Sequence, residues 1–185
     1  MVEESLASAG NGEQERKVSD KSGRPWVRFV ARFIDYNLFG IVFALVLLVV
    51  APRLLIIPEF FLGMLILFLW VFVEAGLLST WGTTPGKWLL KTRVRDGAGN
   101  RLNFSRAFAR SASVWLRGMG MGLPIISLIT LAVAHKKLLR DGITVWDREG
   151  GFVVSHEKIG VARTAVALLF MAAIFLALIY NRLGS

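Results

Sequence analysis

The sequence contains no cysteine and only two histidines, His135 and His156. The absence of cysteine excludes disulfide bonds, thiolate metal sites and a cysteine nucleophile, and two imidazoles are few for a metal centre. No serine falls in a pattern with histidine and aspartate that is typical of a hydrolase. We therefore expect no metal, no cofactor and no catalytic residues, and we expect that the protein is not an enzyme.

Charged residues are scarce, at 19% of the chain, whereas 55% of the residues are apolar and the mean hydropathy is +0.57. A typical soluble domain is about 45–50% apolar with glycine included, so this composition predicts a membrane protein. The formal charge of +9 lies mostly between the apolar stretches, where it fits a topology signal and contact with anionic lipid headgroups. No nucleic-acid-binding motif accompanies the charge, so we expect no nucleic acid partner.

Three apolar stretches have about the 20 residues that an α-helix needs to cross a ~30 Å hydrocarbon core. They run approximately over 33–51, 58–79 and 163–180. The short connection 52–57 makes the first two stretches an antiparallel hairpin, which Trp26 and Trp81 flank as interfacial anchors.

A further apolar stretch, 114–134, comes third along the chain and is interrupted by glycines and by Pro124. It is either a closely packed span, in which Gly118 and Gly122 form a GxxxG pattern, or a broken helix that re-enters on the same side. Both alternatives are compatible with its length.

Basic residues predict the orientation of the chain. The connection 52–57 contains one basic residue, whereas residues 80–113 contain seven. The positive-inside rule therefore predicts that the N-terminus and residues 80–113 are cytoplasmic. A re-entrant third stretch would also keep the basic residues of 135–163 on that side.

Between the apolar stretches, two segments predict small β-structures. Residues 92–104 and 143–154 each have turn residues between short strand-like arms, which is typical of a β-hairpin at the membrane surface. Ser105 is expected to cap a helix that carries Arg106 and Arg110 on its solvent face.

These elements predict an all-α membrane protein, a helical bundle of three to four transmembrane segments with short surface β-hairpins. Residues 1–24 contain no apolar run and predict a disordered cytoplasmic tail, not a secretory signal peptide. Residues 25–154 form the predicted membrane domain, and 155–185 a linker with a C-terminal transmembrane helix.

Asp35, Glu74 and Arg117 are ionisable residues within or at the edge of apolar stretches. An ionisable group in hydrocarbon costs from about 3 kcal/mol upward, so it persists when it is paired, faces the protein interior or reaches water. In an antiparallel hairpin the start of one helix and the end of the next lie at the same depth. We therefore expect Asp35 and Glu74 to be neighbours, within reach of Arg117.

Three interpretations of this cluster are open. It is a structural ion-pair network that fixes helix register, a cation or proton site in which Asp35 and Glu74 share a proton or sodium ion near Arg117, or a site for a lipid headgroup or partner protein. Separately, Arg28 and Asp35 are seven residues apart on one helix, so they share a face and are expected to act as a pair.

The segment Gly82 to Lys87 reads GTTPGK and resembles a phosphate-binding loop. It has only three residues between its glycines, Trp88 after the lysine, and a proline that removes one amide donor. We therefore expect a turn at the membrane surface and no nucleotide site.

Three motifs follow one another in a fixed order along the chain. The motifs are RFVARFID from Arg28 to Asp35, TPGK from Thr84 to Lys87, and VRDG from Val94 to Gly97 followed by Ser105, Ala107 and Arg110. This ordered set resembles the RDD family of small bacterial membrane proteins, over approximately residues 25–154.

The resemblance implies a signature of one arginine and two aspartates. Arg28 and Asp35 match the first two. Asp147 keeps the spacing of the third motif but has a phenylalanine in place of the family's threonine, whereas Asp141 with Thr144 keeps the threonine and is two residues short. We prefer Asp147 as the third signature residue.

The resemblance also implies a function, because transport, including sodium–proton antiport for some members, has been proposed for the family. We expect a cation/proton transporter or transporter subunit that uses the Asp35, Glu74 and Arg117 cluster. The alternative is a non-enzymatic accessory or assembly subunit of a larger membrane complex. Expected partners are the lipid bilayer, anionic lipids, Na⁺ or H⁺, and a homo-oligomer or larger complex in the bacterial inner membrane.

Overall fold

The structure is a computed structural model that describes residues 24–118 and 144–183 and, between these ranges, residues 120, 123, 130, 132, 133, 135, 136, 138 and 140. The predicted tail therefore lies outside the described residues, except for Arg24. The choice between a crossing and a re-entrant stretch at 114–134 also falls mostly on residues outside the description, as does Asp141.

Long helices make up most of the described chain. In order, the elements are α1 (Pro25–Val50), a 3₁₀ helix (Pro52–Ile56), α2 (Glu59–Thr80), α3 (Pro85–Leu89), β1 (Thr92–Asp96), α4 (Phe104–Ser113), a π-helical turn (Val114–Gly118), α5 (Val145–Glu149), β2 (Phe152–His156) and α6 (Val161–Leu183). Within the described residues, α1, α2 and α6 are long and apolar enough to cross a membrane. This confirms the predicted helical membrane fold.

Helix α1 begins at Pro25, two turns before the predicted apolar stretch, because proline is well placed in the first turn of a helix. These first turns carry Arg28 and Arg32, which hydropathy alone does not recognise as part of a span. The helix then packs antiparallel to α2. Arg32 lies 3.6 Å from Glu74, and the Tyr36 and Trp70 rings are 5.8 Å apart between centroids.

The small sheet pairs strands that the sequence assigned to separate hairpins. Strand β1 pairs antiparallel with β2, from Thr92 opposite His156 to Asp96 opposite Phe152. Each predicted hairpin therefore contributes one strand, and the prediction of two separate hairpins was wrong. After β1 the chain turns tightly, because Asp96 accepts backbone bonds through Oδ1 from Ala98 and Asn100.

Helix α4 begins one residue before the predicted cap. The side chain of Asn103 accepts a hydrogen bond from the Arg106 backbone N–H at 2.9 Å, so asparagine and not Ser105 caps the helix. Arg106 is exposed, as predicted, but Arg110 is only 4% exposed. The prediction that Arg110 faces solvent was wrong, because its guanidinium pairs with the buried Asp147.

Two apolar clusters hold these elements together. The first joins α2, β1, α4 and β2, and the second joins α1, the end of α3 and α6. The buried members of the first are Ala75, Leu78, Val94, Leu102, Ala107, Phe152 and Val154, and those of the second are Ala31, Ile34, Leu90 and Ala167. Because both clusters include a membrane helix, they fix the sheet and the short helices against one end of the bundle.

Candidate functional site

Asp35 is held by the turn that leads into α3. Its carboxylate is 1% exposed and accepts a hydrogen bond from Thr84 Oγ1 at 2.5 Å and another from the Gly86 backbone N–H at 2.6 Å. Pro85 starts α3 and fixes the backbone there, so the Gly86 N–H is free to bond outside the helix. The GTTPGK segment therefore binds a carboxylate of the protein itself.

Lys87 follows in α3 and extends into the protein between two carboxylates. Its Nζ donates to Glu74 Oε1 at 2.6 Å and to Thr84 Oγ1 at 3.3 Å, and it lies 3.9 Å from Asp35 Oδ2. Lysine is rarely fully buried unless it is paired, and Lys87 is 6% exposed. This lysine links α1 and α2 through their acidic residues.

Glu74 is surrounded by cations. Besides the bond from Lys87, its Oε1 lies 3.6 Å from the Arg32 Nη2 and 3.7 Å from the Arg110 Nη1. The carboxylate is 1% exposed. Ionised acids are stable in such a place only when charge and hydrogen bonds replace their hydration, so Glu74 depends on all three neighbours.

Asp147 binds the cations at the opposite end of the cluster. It is 0% exposed and accepts hydrogen bonds from Arg28 Nη1 at 2.8 Å, Arg110 Nε at 2.9 Å and Thr144 Oγ1 at 2.6 Å. Burial by itself raises the pKa of a carboxyl, but the positive charges of Arg110 and Arg28 and the threonine hydroxyl outweigh it. The pKa of Asp147 is therefore below its ordinary value.

Together these side chains form one buried charge network, which consists of Arg28, Arg32, Asp35, Glu74, Lys87, Arg110 and Asp147. It contains four cations and three carboxylates. The Arg110 Nη1 is buried without a hydrogen-bond partner, although it is within ion-pair distance of Glu74. Arg110 thus joins the Glu74 and Asp147 parts of the network electrostatically.

His156 borders the network from the end of β2. Its Nε2 lies 3.5 Å from Arg28 Nε, and its Nδ1 lies 3.2 Å from Thr92 Oγ1. Burial and the charges of Arg28 and Arg24 lower the pKa of His156 to about 4. The imidazole is therefore neutral at neutral pH, and it adds no fifth positive charge beside Arg28.

The lowered pKa of His156 predicts a stability change in acid. An unfolded histidine has a pKa of about 6.5, so protons bind the unfolded chain more readily than the folded protein. The stabilising contribution is complete above about pH 6.5 and is lost as the pH falls toward 4. Melting temperatures in detergent should fall more over this window for wild type than for His156→Gln. Equal decreases in melting temperature for the two proteins, each measured relative to its own value at about pH 7.5, would contradict the prediction.

The structure brings only some of the predicted residues together. Asp35 and Glu74 lie around the same lysine, as their common depth predicted. Arg117 does not join them, because it pairs with Glu149 at 2.5 Å, where both side chains are more than half exposed. Arg28 does not pair with Asp35 and binds Asp147 instead, so the expectation that these two act as a pair was wrong.

Lys87 and Arg110 were missed as members of the site. Both lie among the basic residues of a polar segment of the sequence, where side chains are usually on the surface. The one available signal was the TPGK motif, whose proline and glycine indicated a tightly packed turn. Asp147 was selected only through its motif spacing, and the structure places it in contact with Arg28.

The fold and the site thus define a helical membrane protein with a buried charge network at one end of its apolar helices. The chain belongs to the RDD family, whose model matches residues 23–183. The match extends beyond the resemblance seen in the sequence, and it includes α6. No curated protein and no solved structure matches the chain.

Proposed function

We propose that the protein exchanges a monovalent cation for a proton at the position that the Lys87 ammonium group occupies. The observation that supports this proposal is the set of oxygen atoms around Lys87 Nζ, which come from Glu74, Thr84 and Asp35 at 2.6, 3.3 and 3.9 Å. Two carboxylates and a hydroxyl from three separate segments are suitable ligands for a hard cation such as Na⁺.

The exchange keeps the charge of the site constant. When Lys87 releases its proton and its amine withdraws, one Na⁺ takes the place of one positive charge between Asp35 and Glu74. Lysine is suited to this step because it can lose its proton in a protein, whereas arginine retains its charge. In this mechanism Arg32 and Arg110 remain charged and keep Glu74 ionised.

Replacement of Lys87 by arginine tests the proposal. Lys87→Arg keeps a positive charge beside Glu74 but cannot release a proton, so purified protein in liposomes should retain its fold and lose sodium-dependent proton flux. The flux is measured with a pH-sensitive dye inside the liposomes after addition of Na⁺. The matched control is Lys158→Met, which removes an exposed lysine and should leave the flux unchanged.

Flux in Lys87→Arg equal to that of wild type would contradict the exchange mechanism. Absence of sodium-dependent flux in wild type itself would favour the second candidate, a non-enzymatic accessory or assembly subunit. That candidate is supported by the pairing of all three network carboxylates with the protein's own cations, as a register-fixing network requires. Such a subunit should co-purify with a larger complex, which mass spectrometry would identify.

The proposed location is the bacterial inner membrane with the charge network toward the cytoplasm. The support is the excess of basic residues in 80–113 over the connection 52–57. A cysteine introduced at position 100 should then react only with reagents that reach the cytoplasmic side. In this orientation the protein exchanges ions with the cytoplasm at the network end of α1 and α2.

A further inference from the structure

A second polar site lies outside the buried charge network. It is a cavity of about 290 Å³ between the end of α2, the α3 turn, β1 and the start of α6. Its charged lining residues are Lys91, Arg93, Arg95, Arg101, Arg163 and Glu157. Five cations therefore face one acid, which leaves an excess of four positive charges in a space that is large enough for a phosphate group.

Glu157 makes no close contact that would neutralise the neighbouring cations. Glu157 is 3.7 Å from the Lys91 Nζ and 3.9 Å from the Arg93 Nε, and neither contact is a hydrogen bond. Burial, together with the charges of Arg101 and Arg93, lowers the pKa of Arg95. Like charges are thus crowded in the cavity, and an anion would relieve their repulsion.

Three of the arginines are held in place by backbone carbonyls. Arg95 donates to Gly82 O at 3.3 Å, and Arg101 donates to Thr80 O at 2.8 Å. Arg163 donates to Trp88 O at 2.8 Å. A guanidinium has five N–H donors, so one bond to a carbonyl fixes its position and leaves donors for an oxyanion.

The rim of the cavity has features that are typical of the membrane surface. Trp81 directly follows α2, Trp88 belongs to α3, and both side chains are more than 60% exposed. Arg163, in the first turn of α6, has its guanidinium 4.9 Å from the Trp88 ring centre. Exposed tryptophan beside basic residues at the ends of membrane helices is typical of the lipid headgroup region.

We propose that this cavity binds the phosphate group of an anionic phospholipid, with Lys91, Arg93, Arg95, Arg101 and Arg163 as the binding residues and Trp81 and Trp88 at the lipid level. The arginines supply paired donors for the phosphate oxygens. The acyl chains then lie along the apolar surfaces of α2 and α6. This site is separate from the proposed exchange site and does not depend on it.

The test measures binding of phosphatidylglycerol to the purified full-length protein in detergent by native mass spectrometry. The reference lipid is phosphatidylcholine, which is zwitterionic and has no net charge. Wild type should bind phosphatidylglycerol preferentially. The double variant Lys91→Gln and Arg93→Gln removes two cations that hold no backbone carbonyl, so the fold should survive. If each cation contributes about fivefold to the affinity, the double variant should bind phosphatidylglycerol about 25-fold more weakly than wild type.

Two further variants separate binding from folding. Arg53→Gln removes a positive charge from the opposite end of the α1–α2 hairpin and should leave binding unchanged. Glu157→Gln removes the one acid and should tighten binding, a result that misfolding cannot produce. Equal binding of the two lipids, or unchanged binding in both cavity variants, would overturn the proposal. Inorganic phosphate that competes as strongly as the lipid would assign the cavity to free phosphate instead.

Discussion

Asp147→Asn is expected to lower the free energy of unfolding by about 3–5 kcal/mol, the range found when one partner of a buried ion pair is removed. Asp147 is 0% exposed and binds Arg28 and Arg110 at 2.8 and 2.9 Å. Asparagine has nearly the same size, but it leaves two arginines without their carboxylate and directs an NH₂ donor toward one of them. Unfolding of the purified protein by SDS, followed by circular dichroism, measures the loss.

Glu149→Gln is the matched control, because Glu149 is also in α5 and also pairs with an arginine, but on the surface. Exposed ion pairs contribute about 0–1 kcal/mol, so this variant should unfold almost as wild type does. The lowered pKa of Asp147 adds a second check. Its stabilising contribution is present above about pH 4 and is lost in more acidic solution, so wild type and Asp147→Asn should converge there. Similar losses for the two variants would refute the role assigned to Asp147.

Gly86→Ala is expected to destabilise the protein by about 1–3 kcal/mol or more, because an added methyl has no space. A Cβ at Gly86 would lie 2.1 Å from the Ala31 backbone oxygen and 3.1 Å from the Asp35 carboxyl carbon. Backbone atoms of α1 cannot move aside as the end of a flexible side chain can. The α3 turn must therefore move away from α1, which breaks the bonds that Thr84 and Gly86 make to Asp35.

The control for this substitution is Gly63→Ala in the second turn of α2. No atom lies within 4 Å of a Cβ built at Gly63, and alanine is favoured over glycine in a helix by up to about 1 kcal/mol. That variant should be as stable as wild type or slightly more stable in the same SDS titration. If Gly86→Ala also keeps wild-type stability, the close contact between α3 and α1 is not needed for the fold.

The membrane helices and the shared depth of Asp35 and Glu74 were predictable from sequence. Runs of apolar residues of suitable length identify spans, and a six-residue connection leaves only an antiparallel arrangement for α1 and α2. Both features depend on local composition and on the bilayer as solvent. The same reasoning gave the start of α1 too late, because its first turns contain arginines that are satisfied by Asp147 and Glu74 and not by lipid or water.

The remaining members of the site depend on contacts between distant parts of the chain. Arg110 is buried because Asp147 lies beside it, 37 residues further along, and no periodicity in α4 indicates that partner. Arg106 and Arg110 are four residues apart and share a helix face, yet only Arg110 is buried. In the sequence, Lys87 likewise cannot be distinguished from a surface lysine, because its two carboxylates come from α1 and α2. The β1–β2 pairing has the same cause, since either strand has a plausible partner nearby in sequence.

The direct pairing of β1 with β2 relates the directions of two membrane helices. Because these strands hydrogen-bond to each other, the polypeptide is on the same side of the bilayer at residue 96 and at residue 152. Strand β1 follows α2 and β2 precedes α6, so the end of α2 and the start of α6 lie on that same side, and the two helices run in opposite directions. A reagent that cannot cross the bilayer should therefore reach the residues after α2 and the residues before α6 from one compartment only.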